Sequence, residues 1–170
     1  MPETQTGVRV ELAREGAASV ATGLPVLDHL IGELAATARF KLSLEVAPES
    51  ADEAVAAAGR ALGEALGARI AENAGRGWAH LPAAEALASA ALERDAEPRF
   101  VTNVDFSDQR VGGLATDVAA RFLEALALAA GLNLHVRLVE GTDPQHVLSA
   151  IFKAVGAALG QACRPAPPDA

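Results

Sequence analysis

The chain has 170 residues, a net charge of −8 and 51% hydrophobic residues, enough for one core-bearing domain or two tightly fused halves. That negative balance repels a phosphate backbone, and no basic run suits an anionic membrane, so nucleic-acid and membrane partners are not expected. Aromatic residues make up 4% and Tyr is absent, so the core must come from Ala, Leu and Val, which favours close helix packing over large pockets. The one cysteine, Cys163, has no partner for a disulfide or a zinc site and is expected as a minor thiol at the surface or a helix end, in a reducing cytoplasm. The opening MPETQTGVRV lacks the apolar centre of a signal peptide, and no apolar run is long enough to span a bilayer.

Taken in order, Val8–Leu12 alternates apolar and charged residues, the period of a half-buried strand, and Ala18–Ala21 reads as a short return strand. Thr22-Gly23 then precedes Leu24-Pro25, and a helix is predicted to about Ala38 with Leu27, Leu30, Ile31 and Leu34 on one face. Phe40–Val46 is an alternating strand, stopped by Pro48. Ser50 with Glu53 three residues on predicts a capping box, opening a helix that ends near Gly67. Glu85–Arg94 looks helical by propensity, although Pro82 and Pro98 bracket it. Arg99–Phe106 reads as a strand, Gly112-Gly113 as a turn, Asp117–Ala130 as a helix and Leu132–Val139 as a strand. Asp143–Ala162 is a final helix with Pro144 in its first turn, and 164–170 is a Pro-rich end expected to be disordered.

This order repeats. Phe40–Val46 corresponds to Leu132–Leu138, 92 residues on, and the following helices match at an offset of 97, Ala57–Ala65 over Ala154–Ala162. The repeats are about 5–75 and 76–163 within a single 1–170 domain. Gly59/Gly63 and Gly156/Gly160 weaken an isolated helix. Their expected role is to let the two helices that carry them cross closely, backbone against backbone; the alternative is chance similarity between Ala-rich helices.

Four segments resemble signatures of imidazoleglycerol-phosphate dehydratases: Thr22–Leu30, Gln109–Gly112, Ala130–Leu138 and His146–Ala154. They occur in order, and the resemblance spans roughly residues 5–162. It implies an α+β fold of duplicated half-domains, of the ribosomal protein S5 domain 2-like kind. Each half would be a four-stranded sheet with two helices on one face, the helices sandwiched between the two sheets. It also implies that Glu85–Arg94 is a strand, against local propensity.

The activity so implied is removal of water from a phosphorylated, imidazole-bearing diol, aided by two manganese ions acting as Lewis acid and template. The family's ligands are two H-H-x-x-E motifs, one per repeat, plus separate histidines; His and Glu three apart project from one helical face. Here the first motif falls on Pro48-Glu49-Ser50-Ala51-Asp52 and the second on Gln145-His146-Val147-Leu148-Ser149. His29 and His135 match the separate ligands. The vestigial metal candidates are therefore His29, Asp52, His135 and His146, and losses fall in both repeats. Gln, Pro and Ser are poor replacements for imidazole and carboxylate, so no resident cofactor is expected, or at most one weak residual site. The family's catalytic Glu falls on Gln5, an amide that cannot shuttle a proton. Arg76, Arg110 and Lys153 are the candidates for binding phosphate, whereas a further family Arg falls on Glu97, beside Arg99.

Each candidate also has a plainer reading. His29 would be a hydrogen-bonded structural histidine, His135 the solvent-facing neighbour of Leu134, and His146 and Asp52 ordinary first-turn residues. Lys153 would be a solvated charge. The leading expectation is a homo-oligomeric member of this histidine-biosynthesis lineage with lost or reduced activity. Because the family shares ligands between subunits and its assembly leans on the metal, a trimer is expected rather than a 24-subunit shell. The rivals are an active, divergent dehydratase and a regulatory module that binds a small phosphorylated metabolite.

Overall fold

The computed structural model describes residues 6–47, 50–106, 110–111 and 114–166. The first half holds strands β1 (Thr6–Leu12) and β2 (Ala17–Ala21), helix α1 (Pro25–Ala38), strand β3 (Phe40–Val46) and helix α2 (Ala51–Glu72). β3 lies between an antiparallel β1 and a parallel β2. Its alternation turns Phe40, Leu42, Leu44 and Val46 inward and Lys41, Ser43 and Glu45 to solvent, which is what period-two patterning demands of a sheet covered on one face. α1 opens on Pro25, but Leu24 supplies no capping side chain. Instead Asp28 reaches back to accept from the Thr22 backbone N–H at 2.9 Å and from its hydroxyl at 2.5 Å. The Ser50 hydroxyl accepts from Glu53 N–H as the capping pattern predicts. α2 then runs past Gly67 to Glu72. One glycine does not end a helix whose apolar period continues, and Leu66 and Ile70 are both fully buried.

The second half holds β4 (Arg76–Ala83), β5 (Ala86–Arg94), β6 (Arg99–Thr102), the two-residue strands β7 (Arg110–Val111) and β8 (Leu114–Ala115), α3 (Thr116–Ala130), β9 (Leu132–Glu140) and α4 (Pro144–Ala162). Its sheet runs β4-β5-β9-β6, with β9 between an antiparallel β5 and a parallel β6. The order β5-β9-β6 therefore repeats β1-β3-β2. The described residues supply three strands for the first sheet and four for the second, β4 being the addition. β5 is a strand, not the helix its Ala and Leu content favours: Ala86, Ala88, Ala90 and Leu92 all turn inward. Small residues suit that face because α4 packs directly on it, and tertiary contact outweighs a weak local preference. β6 stops at Thr102, short of the expected Phe106. The Asn103 side chain takes over there, accepting from Leu138 N–H at 2.9 Å and donating to Leu138 C=O at 3.4 Å. Gly112-Gly113 lies outside the described residues, although β7 and β8 pair antiparallel on either side of it.

All four helices lie between the two sheets, α1 against α4 and α2 against α3. The glycine pairs do not meet each other, which corrects the expected crossing of α2 with α4. A Cβ on Gly59 would stand 2.6 Å from the Phe122 carbonyl oxygen of α3, and one on Gly156 2.1 Å from the Leu34 carbonyl oxygen of α1. Each glycine-bearing helix thus touches the first helix of the other half, and the two contacts are quasi-equivalent. Backbone contact at this distance has no room for a methyl group, which is the physical reason for glycine there.

Cys163 caps α4 but is fully buried, so the expected surface position is corrected. Burial pushes its thiol up to about 11, against the pull of the Arg69 and Arg164 charges. A buried thiol held almost wholly protonated reacts slowly. The disulfide reagent DTNB at pH 8 is therefore expected to leave the folded protein unlabelled and to label one thiol per chain in denaturant; prompt native labelling would refute the burial. Arg164, within the end expected to be disordered, is held: its guanidinium donates to the carbonyls of Ala13, Ala38, Arg39 and Gly160 at 2.8–3.2 Å. Residues 167–170 lie outside the described residues. No helix among the described residues is long and apolar enough to cross a membrane.

Candidate functional site

The helix that begins at Pro25 carries His29 one turn in, on its solvent side; the ring is 72% exposed. Its Nε2 lies 3.2 Å from Glu33 Oε1, an ion-pair distance at which that oxygen still accepts no hydrogen bond. The other Glu33 oxygen accepts from the Ser149 hydroxyl across the α1–α4 seam. Asp52, in the first turn of α2, pairs with Arg121 across the α2–α3 seam. Arg121 follows His29 by 92 residues and Ser149 follows Asp52 by 97, the two repeat offsets. Asp52 and Ser149 are therefore equivalent points that cross their seams with different chemistry, one to Arg121 and the other to Glu33, one turn past the position equivalent to Arg121.

His146 sits in the first turn of α4 behind the Asp143 cap, which accepts from the N–H groups of Gln145 and His146. Its Nδ1 is 2.6 Å from Glu85 Oε2, in the β4–β5 turn. Glu85's own backbone N–H does most to hold its carboxyl below the usual carboxylate range; desolvation, next in size, opposes it, and His146 and the Asp143 N–H add to the lowering. Lys153, two turns further along α4, donates to the Pro82 carbonyl at 2.9 Å.

His135 points outward from β9 into a cleft of about 920 Å³, shared with Arg39, Arg76, Trp78, Asn133 and Gln161. Arg76 and His135 are the two sequence-derived candidates that the described fold brings together. Lys153 does not line this cleft. The side chain of Arg110 and all of Gln5, Pro48, Glu49 and Gln109 lie outside what is described. Asn133 also lines the cleft, and its side-chain oxygen is buried without a hydrogen-bond partner. Arg39, Arg76 and Arg164 bring guanidinium groups to the cleft against the single carboxylate of Glu93, and an indole that is 60% exposed lines it, which suits a small anion.

Among the described residues no group of three or more His, Cys, Asp or Glu side chains converges as an ion would require. The donors present are engaged one by one: His29 with Glu33, Asp52 with Arg121, His146 with Glu85. This set does not fit a pair of manganese ions within the described chain. Glu33, four residues after His29, was readable as a helix-surface pair. Glu85, Arg121, Arg39 and Gln161 reach their partners only through tertiary folding and left no signal in the sequence.

Four helices between two sheets, built by duplication, define a fold shared with a solved structure, an imidazoleglycerol-phosphate dehydratase from Staphylococcus aureus. The TM-score is 0.85 at 24% identity, with 95% of each chain covered. The family model for imidazoleglycerol-phosphate dehydratase matches residues 22–159. Among curated relatives bearing that name, one from Desulfitobacterium hafniense is 38% identical over 97% of this chain and 87% of its own length. Another, from Pelobacter propionicus, is 34% identical over 95% and 86%. The chain belongs to the imidazoleglycerol-phosphate dehydratase family, a family of histidine biosynthesis.

Proposed function

We propose that this chain is a family member whose dehydratase activity is lost or strongly reduced and whose basic cleft still binds a small phosphorylated metabolite in the cytoplasm. The observation that carries the first part is the engagement of His29, Asp52 and His146 by Glu33, Arg121 and Glu85. Asp52 must release Arg121 before it can serve an ion; His29 and His146 each meet a carboxylate through one ring nitrogen only, which leaves the other for a metal, but no third donor converges with either among the described residues, and an isolated pair of donors holds a divalent metal weakly. Manganese supplies Lewis-acid stabilisation of developing charge in such chemistry. With the metal no longer bridging subunits, the assembly is a trimer rather than a 24-subunit shell.

Purified protein supplied with manganese and imidazoleglycerol phosphate is expected to turn over on the order of a thousandfold more slowly than the Pelobacter propionicus relative. Turnover within tenfold of that relative would establish an active, divergent dehydratase instead. The binding reading rests on Arg39, Arg76 and His135 facing one cleft beside Trp78. Titration calorimetry with imidazoleglycerol phosphate should show saturable heat that Arg76→Ala removes; no heat would leave the cleft without this role.

A further inference from the structure

β4 is bonded to β5 on one side and has no strand on the other among the described residues. In an antiparallel pair, alternate residues turn both backbone groups away from the partner. Trp78 is one of these. Its N–H donates to Gln161 Oε1 at 3.0 Å, and its C=O accepts from Gln161 Nε2 at 2.8 Å. The carboxamide on α4 thus presents to Trp78 the same acceptor and donor that a neighbouring strand would. Four residues further, Pro82 has no N–H to offer, and its C=O accepts from Lys153 Nζ at 2.9 Å. Just before the strand, Ala74 N–H and Gly75 N–H donate to the carbonyls of Arg164 and Ala162. Between these closures Arg76 and His80 keep outward backbone groups with no such partner among those described, each isolated from the other by the capped Trp78. A single residue is too short a run to seed a ladder.

Close approach makes this reach feasible. A Cβ on Gly77 would stand 2.0 Å from the Ala158 carbonyl oxygen, so the backbones of β4 and α4 touch. A side chain one helical turn beyond Ala158 can then span to the strand edge. Asn103 makes the same two-point contact with Leu138 where β6 ends, so a carboxamide standing in for a strand occurs twice in this sheet.

We infer that Gln161, with Lys153 and Pro82, is a plug that closes the outer edge of β4 against strand addition from a second copy of this chain. An open edge with an exposed Trp78 is a template for edge-to-edge pairing, and an antiparallel strand meets its own copy self-complementarily about a two-fold axis. The occupant held off is therefore β4 of another copy. The inference stands apart from whether the chain turns over any substrate.

Gln161 is exposed, so Gln161→Met removes both hydrogen bonds while keeping side-chain length and helix propensity. Hydrogen exchange of the Trp78 amide is expected to quicken by at least about tenfold in Gln161→Met. Sedimentation beside the wild type should show larger species growing with concentration in Gln161→Met/Lys153→Met. An unchanged Trp78 exchange rate would overturn the inference, as would a folded double variant that sediments like the wild type at every concentration. Should the double variant fail to fold, Gln161→Met alone is taken through both measurements, and wild-type behaviour in either one overturns the plug.

Discussion

Gly156→Ala should destabilise the protein by about 2–3 kcal/mol, which at this chain length lowers the melting temperature by roughly 4–12 °C. The new Cβ would stand 2.1 Å from the Leu34 carbonyl oxygen and 2.3 Å from Thr37 Oγ1. The first of these is backbone, so relief requires moving α1 off α4. That motion would also strain the Thr37 hydroxyl, which donates to the Lys153 carbonyl at 2.7 Å, and the neighbouring contact of Gly160 with Ala38. Opposing this is the better helix propensity of Ala, about 1 kcal/mol, so the clash wins by a margin rather than absolutely. Gly32→Ala isolates that opposing effect: Gly32 lies on α1, and its added Cβ meets nothing within 4 Å. It should stabilise by up to about 1 kcal/mol. Urea unfolding of both variants checks the pair; equal behaviour of Gly156→Ala and Gly32→Ala would remove the close crossing.

A larger loss is expected from Phe152→Ala, about 3–5 kcal/mol. With 4% aromatic residues in all, most of the core is built from small side chains, and few neighbours are long enough to refill a vacated ring site. Phe152 and Phe122 are fully buried and lie stacked, with ring centroids 5.7 Å apart and planes 23° from parallel. The two rings therefore meet across the α3–α4 gap. Removing both should cost less than the sum of the single losses, with a coupling of about 0.5–1.5 kcal/mol. Chemical denaturation of the two single variants and the double variant supplies the cycle. Strict additivity would mean that the two rings do not stabilise one another.

The strands β1, β3 and β9 and all four helices could be read from local pattern, because each has one covered face and a well-marked start. Ser50 with Glu53, and Asp143 with Pro144, are local signals whose geometry is decided within one turn. Propensity misleads at β5 because its Ala residues serve close sheet–helix approach, a fact that belongs to α4 and not to the strand. β4 is hidden for a related reason: Gly77 and Pro82 look like breakers, yet one admits α4 and the other lies on an edge. The glycine pairs announce tight contact without naming the partner, since a small residue encodes proximity and not identity. In the same way His29, Asp52 and His146 are visible as donors, and Glu33 as the i,i+4 neighbour of His29, while Arg121 and Glu85, which engage the other two, lie on other elements and carry no distinguishing mark. The convergence of Arg39 and Arg76 on His135 depends on where α1 ends and β4 begins, and no spacing records that.

The reciprocal packing of the glycine-bearing helices has a bearing on origins. Swap the labels of the two repeats and the α1–α4 contact becomes the α2–α3 contact. That is the property of an isologous homodimer, here with its two subunits welded by the short stretch between α2 and β4. Fusion makes the partner permanently present, so the pairing no longer depends on protein concentration. It also frees the twins to diverge, and an aspartate–arginine bridge in one seam opposite a serine–glutamate bridge in the other is the kind of asymmetry a true dimer, encoded once, cannot acquire.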